Sequence, residues 1–206
     1  MSRDTGPVEV RDAGIDDVRE IQNVARTTWD HTYRESIPAS VRAEFVSQAY
    51  SEHALLRRME SNVFLVATEG KEILGFADFR SLSETEAELA AIYVLPEMQG
   101  RGIGACLLEA GIGTFPPRTS FVLRVERDNA QAQRFYEAHG FRRAGQHTDA
   151  FYGYVVHEVE MILHAPRAVS CLPRAWILEA SGPTHSGSLR RARGRASFPF
   201  MGDTLA

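Results

Sequence analysis

The chain has 206 residues, which is enough for one globular domain with a core, alone or followed by a tail. Its 44% hydrophobic and 24% charged residues are typical of a folded protein and exclude global disorder. No apolar run approaches the roughly 20 residues that span a bilayer, and Met1–Pro7 lack the apolar core of a signal peptide. We therefore expect a cytoplasmic protein with no membrane partner.

Net charge is distributed unevenly along the chain. The whole chain carries −4, whereas residues 167–206 carry six arginines against two acidic residues, which leaves −8 for the part before them. An acidic body binds nucleic acid poorly, so we expect no nucleic-acid partner. Its field attracts cations such as amines.

Cysteine and histidine usage argues against structural crosslinks. The two cysteines, Cys106 and Cys171, are too few for a disulfide framework, and no cysteine or histidine spacing fits a metal site. We expect no bound metal, and we expect Cys106 to be a buried thiol on the apolar side of a helix.

Hydrophobic periodicity predicts the elements in chain order. Alternation indicates a first strand over 8–12, and Asp16 or Asp17 begins a helix that extends towards Trp29. The elements that follow are helices from Pro38 to about Tyr50 and over 52–60, strands over 63–68, 73–80 and 86–94, a helix over 103–112, a strand over 119–125, a helix ending near His139, and strands over 141–144 and 155–163. This order predicts an α/β domain with a mixed sheet that is complete by about Leu163.

Composition changes after that point. Residues 165–206 are rich in proline, glycine and arginine, which predicts a domain over 1–164 followed by a basic, mostly disordered C-terminal tail. The tail is interpreted either as a basic interaction arm or as an extension without function, and we favour the second interpretation.

A glycine-bearing loop lies between the strand over 86–94 and the next helix. Gly100, Gly102 and Gly104 allow backbone N–H groups to approach an anion closely, and the helix N-terminus and Arg101 add positive charge. This combination predicts a pyrophosphate site.

Two common phosphate motifs do not fit this loop. A P-loop requires Lys-Ser/Thr after the glycines, where this chain has Ala105-Cys106. A dinucleotide fingerprint requires GxGxxG after the first strand, whereas GxGxG follows the fourth strand here.

Two blocks of residues carry a resemblance to a known family. The first is Gln99-x-x-Gly102-x-Gly104-Ala105, which matches the Q/RxxGxG/A signature, and the second comprises Val125, Asn129, Ala132, Phe135-Tyr136 and Gly140-Phe141. The chain thus resembles the GNAT superfamily of acetyl-CoA-dependent N-acetyltransferases over about residues 8–163. Thr28–Tyr33 also resembles bacterial polyamine acetyltransferases, over a short stretch only.

The resemblance implies a GNAT fold, with a mixed central sheet of six or seven strands, splayed between the fourth and fifth strands and flanked by helices. It implies acetyl-CoA as the cosubstrate and often a homodimer. The implied cofactor-binding residues are Ile92, Tyr93 and Val94 through their backbone, Gln99, Gly100, Arg101, Gly102, Ile103, Gly104 and Ala105 around the pyrophosphate, and Asn129 on the pantetheine arm. Asn129 is equally suited to cap a helix.

The resemblance also implies catalytic roles for two side chains. Tyr136 would protonate the departing thiolate, or else be a packed core tyrosine. Glu88 would be the general base, or else a strand-edge glutamate in water; a period of two places it on one face with Ala90, Ile92 and Val94. Some N-terminal-protein acetyltransferases have a glutamate where this chain has Arg124, which argues against that subclass.

Three aromatic residues, Trp29, Tyr33 and Phe79, would line the acceptor pocket or else belong to the core. The predicted function is direct transfer of the acetyl group to a primary amine, preferably of a small molecule such as a polyamine or amino acid. A protein N-acetyltransferase and a non-catalytic acyl-CoA-binding sensor are the alternatives.

Overall fold

The structure, a computed structural model, describes residues 7–164, so the predicted tail over 165–206, with Cys171, lies outside the described residues. Within the described range the strands are β1 (Val8–Asp12), β2 (Val63–Glu69), β3 (Glu72–Ser81), β4 (Glu86–Val94), β5 (Ser120–Glu126), β6 (Arg142–Phe151) and β7 (Tyr154–Leu163). The α-helices are α1 (Val18–Thr32), α2 (Ala39–Ala49), α3 (Glu52–Ser61), α4 (Ile103–Gly113) and α5 (Ala130–Ala138). None of these helices is long and apolar enough to cross a membrane.

The seven strands form one mixed sheet in the order β1-β2-β3-β4-β5-β7-β6. Only β4 and β5 pair in parallel, and every other neighbouring pair is antiparallel. Parallel neighbours need a crossover connection, and α4 provides it. The expected α/β fold with a mixed, helix-flanked sheet is confirmed.

Each face of the sheet has its own hydrophobic core. On one face α1, α2 and α3 pack over β2, β3 and β4, and α1 buries its apolar stripe, Ile21, Val24 and Ala25. On the other face α4 and α5 pack over the centre of the sheet. We call these the α1–α3 face and the α4/α5 face.

Three boundaries and positions differ from the sequence predictions. β6 extends to Phe151 rather than Ala144, because this edge strand is mostly polar and lacks an alternating apolar signal. α1 continues to Thr32. Cys106 is exposed, not buried, because the buried stripe of α4 passes through Ile103, Leu107 and Leu108 at helical spacing and leaves Cys106 outside it.

Candidate active site

The centre of the sheet opens between its two parallel strands. β4 and β5 pair only through Glu86↔Ser120, Ala87↔Phe121 and Glu88↔Val122, although both strands continue well beyond these pairs. Over residues 7–164 the diverging inner edges pair with no other strand. An unpaired edge is a template for an extended chain. The splay expected between the fourth and fifth strands is therefore present.

A β-bulge interrupts β4 inside this opening. Phe79 pairs with Leu89 and Asp78 pairs with Ala91, so Ala90 is the extra residue on β4. One extra residue reverses the alternation of all side chains that follow it.

The bulge corrects one sequence expectation. Beyond it, Ile92 and Val94 belong to the core of the α4/α5 face, and Tyr93 belongs to the core of the α1–α3 face. Glu88 precedes the bulge and lies on the α1–α3 face, opposite to Ile92 and Val94. The expectation of one shared face was wrong because a period-2 pattern cannot show an inserted residue.

The glycine loop adopts the conformation that its composition predicts. Gly100 and Gly102 have positive φ angles of 75° and 79°, which favour glycine, and a Cβ on either would meet no atom within 4 Å. Gly102 is the N-cap of α4, and the first intrahelical bond runs from Cys106 N–H to its carbonyl. The N–H groups of residues 103–105 thus have no acceptor within the helix and can bind an anion.

Two side chains of the loop bond back to the sheet. The Gln99 amide donates to the carbonyl of Val94 at 3.2 Å, which ties the loop to the end of β4. Arg101 forms an ion pair with Glu69 of β2, with a nitrogen–oxygen distance of 2.7 Å. The carboxylate of Glu69 therefore partly neutralises the positive charge of Arg101.

α5 follows β5 in the chain; it carries Tyr136 and begins directly after Asn129. Asn129 caps the helix, its side-chain oxygen accepting from the Ala132 N–H at 3.0 Å. Tyr136 is buried in the core of the α4/α5 face and contacts the ring of Phe141, whereas Phe135 is partly exposed. Tyr136 is the more buried ring of the Phe135-Tyr136 pair.

Glu88 is held by a neighbouring strand. Its carboxylate forms an ion pair with Arg80, which is its cross-strand neighbour on β3. Asp78 lies on the same face of β3 as Arg80 and is fully buried. Its carboxylate accepts hydrogen bonds from Asn62 at 2.7 Å and from Arg58 at 3.3 Å. Burial raises the pKa of Asp78, and Arg58 opposes that shift.

The three predicted pocket aromatics do not lie together. Trp29 and Tyr33 are buried on the α1–α3 face with ring centroids 4.6 Å apart, and the Trp29 indole donates to the Tyr93 hydroxyl at 3.0 Å. Phe79 lies on the opposite face, against Gly111 of α4, where a Cβ would clash with the phenyl ring. The structure therefore separates Phe79 from the other two.

Sequence reasoning missed a carboxyl group on β7. Glu158 is only 2% exposed, and neither of its carboxyl oxygens has a hydrogen-bond partner among the described residues. Burial raises its pKa to about 7, and Arg124 partly opposes that shift. Glu158 and Glu160 alternate with the buried Val159 and Met161, which places the two glutamates on one face of β7. This alternation cannot reveal that the side chain of Glu158 is buried.

The amino-acid sequence also matches a known protein family. The sequence profile of the Acetyltransferase (GNAT) family matches residues 19–141. The chain belongs to this family. It is therefore an N-acetyltransferase by class, and the resemblance inferred from the two motif blocks is confirmed.

Relatives and a solved structure agree with this assignment. The chain is 28% identical to the spermidine N(1)-acetyltransferase of Thermoplasma acidophilum, over 66% of this chain and 88% of that protein. It is 34% identical to the uncharacterized N-acetyltransferase YuaI of Bacillus subtilis, over 50% of this chain but only 62% of that protein. The fold is similar to that of the PaiA N-acetyltransferase of T. acidophilum in complex with coenzyme A, with a TM-score of 0.67, 24% identity, and coverage of 77% and 99% of the two chains.

Proposed function

We propose that this enzyme transfers the acetyl group of acetyl-CoA directly to a primary amine of a small cationic molecule, such as a polyamine. The observation that carries the proposal is the splayed edge of β4, which is followed along the chain by the glycine loop and by the N–H groups at the start of α4 that have no acceptor within the helix. The similarity to a spermidine acetyltransferase supports the class of acceptor.

The chain offers separate contacts for the two ends of the cosubstrate. The pyrophosphate would lie on the N–H groups of residues 103–105, with Arg101 beside it. The pantetheine arm would pair with the backbone of Ile92–Val94 as an added strand. Asn129 would contact that arm through its amide nitrogen, since its oxygen already caps α5.

The reaction needs a proton acceptor and a proton donor. A carboxylate takes a proton from the acceptor ammonium, and Glu88 is the candidate that the sequence predicts. The amine nitrogen then bonds to the thioester carbon, while backbone N–H groups near Ile92–Val94 stabilise the oxyanion. The carbon–sulfur bond breaks, Tyr136 protonates the thiolate, and the nitrogen's second proton replaces the one that Tyr136 gave, so that one proton is released in total.

A protein substrate is the second candidate. The chain is 28% identical to the peptidyl-lysine N-acetyltransferase YjaB of Salmonella typhimurium, over 55% of this chain and 74% of that protein. Polyamines and lysine side chains share a primary ammonium on a flexible aliphatic chain, so the same site chemistry would serve both.

Thiol release from acetyl-CoA with a panel of amines tests the proposal. We expect spermidine-like polyamines to be acetylated at least tenfold more efficiently than a lysine-containing peptide. Preference for the peptide would favour the second candidate, and binding of acetyl-CoA without turnover of any amine would indicate a non-catalytic sensor.

The role of Tyr136 has its own test. Tyr136→Phe keeps the buried ring and removes the hydroxyl, so we expect kcat to fall about 10²-fold, within the usual range for a general acid, with unchanged affinity for acetyl-CoA. Full activity of this variant at all pH values would exclude Tyr136 as the acid.

A further inference from the structure

Glu158 lies on β7, across β5 from the opening between β4 and β5. It pairs with Glu126 at the end of β5, beyond the last β4–β5 pair. Val159 and Met161 belong to the α4/α5 core, and Val156 belongs to the α1–α3 core, so Glu158 lies on the α1–α3 face. That is also the face of Glu88. The carboxyl group therefore lies one strand away from the splay, level with its open end, on the face of the sheet opposite to Tyr136.

Charged groups approach Glu158 from three neighbouring strands. Arg124 and Glu126 lie on β5, Asp149 on β6 and Glu88 on β4, and the charge of each affects the pKa of Glu158. On β6 its direct cross-strand partner is His147, but the His147 ring is engaged with Glu160 at 3.1 Å. Among residues 7–164, one cation, Arg124, and three carboxylates act on Glu158.

This arrangement is costly unless a ligand completes it. A buried carboxyl group without a hydrogen bond forfeits the solvation that it has in water, and native proteins keep such groups rarely and for specific purposes. An ammonium group brings the hydrogen-bond donors that the Glu158 carboxyl group lacks among the described residues, and it adds a positive charge where three carboxylates outnumber one arginine. A neutral or anionic acceptor would not compensate this surplus of negative charge.

We propose that Glu158 is the general base of the transfer, receiving the proton of a primary ammonium that binds beside it on the α1–α3 face. This inference rests on the proposed function and replaces Glu88 as the proton acceptor. Glu88 is a weaker candidate because Arg80 already holds its carboxylate.

The burial of Glu158 suits proton transfer. The ammonium gives one N–H proton to a carboxyl oxygen, the nitrogen keeps the electron pair of that bond, and both partners become neutral. A desolvated site favours two neutral groups over an ion pair that is incompletely hydrogen-bonded. Because the pKa of Glu158 is raised to about 7, it can accept a proton near neutral pH and return it to solvent.

The test compares three single variants of the full chain by steady-state kinetics with the best amine over pH 5.5–9, together with calorimetric titration of acetyl-CoA. For the wild type we expect kcat/KM to rise with an apparent pKa near 7. Glu158→Gln should lower kcat/KM by about 10²-fold or more and abolish that titration, with acetyl-CoA affinity unchanged within twofold. Glu158→Asp should restore part of the rate.

Glu160→Gln is the matched control. It removes a carboxylate from the same strand and face, and we expect activity within threefold of the wild type, since Glu160 is partly exposed and bonded to His147. Glu88→Gln tests the rival base.

The outcomes distinguish a failure of Glu158 as the general base from a failure of the proposed function. Glu158→Gln with near wild-type activity, or a large loss in Glu88→Gln without one in Glu158→Gln, would overturn the inference and leave the acetyltransferase function intact. A wild-type chain that binds acetyl-CoA and acetylates no amine would overturn the proposed function and the inference together.

Discussion

The two faces of the sheet meet at the splay but are built differently. On the α4/α5 face the core is apolar apart from the Tyr136 hydroxyl, the buried Gln133 amide of α5 is bonded to backbone carbonyls, and the groups available to a ligand are backbone N–H groups at the start of α4. On the α1–α3 face two acidic side chains, Asp78 and Glu158, are buried near the opening. In the proposed function, the first face holds the anionic cosubstrate by fixed backbone geometry, and the second binds and deprotonates a cation by side-chain charge.

The strongest test of the first face is Gly102→Glu. The new carboxylate would lie in the anion site, and the residue would keep a φ of 79° that only glycine adopts without strain. We expect acetyl-CoA binding to fall below detection by calorimetry.

Gly102→Ala is the control, because it imposes the same backbone strain without the charge. It should keep measurable binding. Equal loss in both variants would show that loop conformation, not charge, decides affinity.

The α4/α5 face could be predicted from sequence because its ligand groups are contiguous. Gly100, Gly102 and the start of α4 follow one another along the chain, and glycine requires no partner to adopt a positive φ. The Asn129 cap is equally local, since its acceptor is the N–H of Ala132. The order and type of the elements followed from the same kind of short-range pattern.

The second face is tested next by Asp78→Ala. Asp78 is fully buried and bonded to Asn62 and Arg58, whose guanidinium lies over the Tyr50 ring at 4.8 Å. Removal of the carboxylate leaves a partly buried cation without its counter-charge, so we expect the free energy of unfolding in urea to fall by about 3 kcal/mol.

Asp78→Asn separates charge from hydrogen bonding in this cluster. It keeps an acceptor for Asn62 and should cost less than the alanine variant. If Asp78→Ala lowered the free energy of unfolding by less than about 1 kcal/mol, the usual contribution of an exposed ion pair, Arg58 would have found another partner or water.

This face could not be predicted in the same way. Glu88 and Glu158 are 70 residues apart in the chain, and Glu158 lies next to β5 only because β7 inserts between β5 and β6. The bulge at Ala90 decides which way Glu88 points, and no residue type near it signals a bulge. Burial of a polar strand residue depends on what the rest of the chain places over it.

A smaller effect is expected for stability when Glu158 is neutralised. Because the pKa of Glu158 is raised to about 7 in the folded protein, unfolding releases its proton at intermediate pH, and its burial destabilises the fold increasingly as pH rises from about 4.5 to 7. Glu158→Gln removes that cost. We expect the variant to be more stable than the wild type by about 2 kcal/mol in urea unfolding at pH 8.5, with a smaller difference at pH 5.5.

The sign of this effect distinguishes a functional residue from a structural one. A glutamate that held the fold together would destabilise the protein on substitution, whereas one kept for catalysis loses activity and gains stability. Glu160→Gln should show no such pH-dependent gain. A Glu158→Gln variant that is less stable than the wild type at pH 8.5 would contradict an uncompensated buried charge.

The smallest effect is expected at the ion pair that joins Arg101 to Glu69. Glu69 competes with an anionic ligand for the guanidinium, which is 38% exposed and therefore screened by solvent and salt. We expect Arg101→Ala to weaken acetyl-CoA binding about threefold at low salt, and Glu69→Gln to strengthen it about twofold, as measured by calorimetry. Both shifts should shrink as ionic strength rises, because they are Coulombic, while the contribution of the α4 N–H groups should persist. If Arg101→Ala instead abolished binding, the side chain rather than the backbone would dominate the α4/α5 face, and the contrast between the two faces would lose its physical basis.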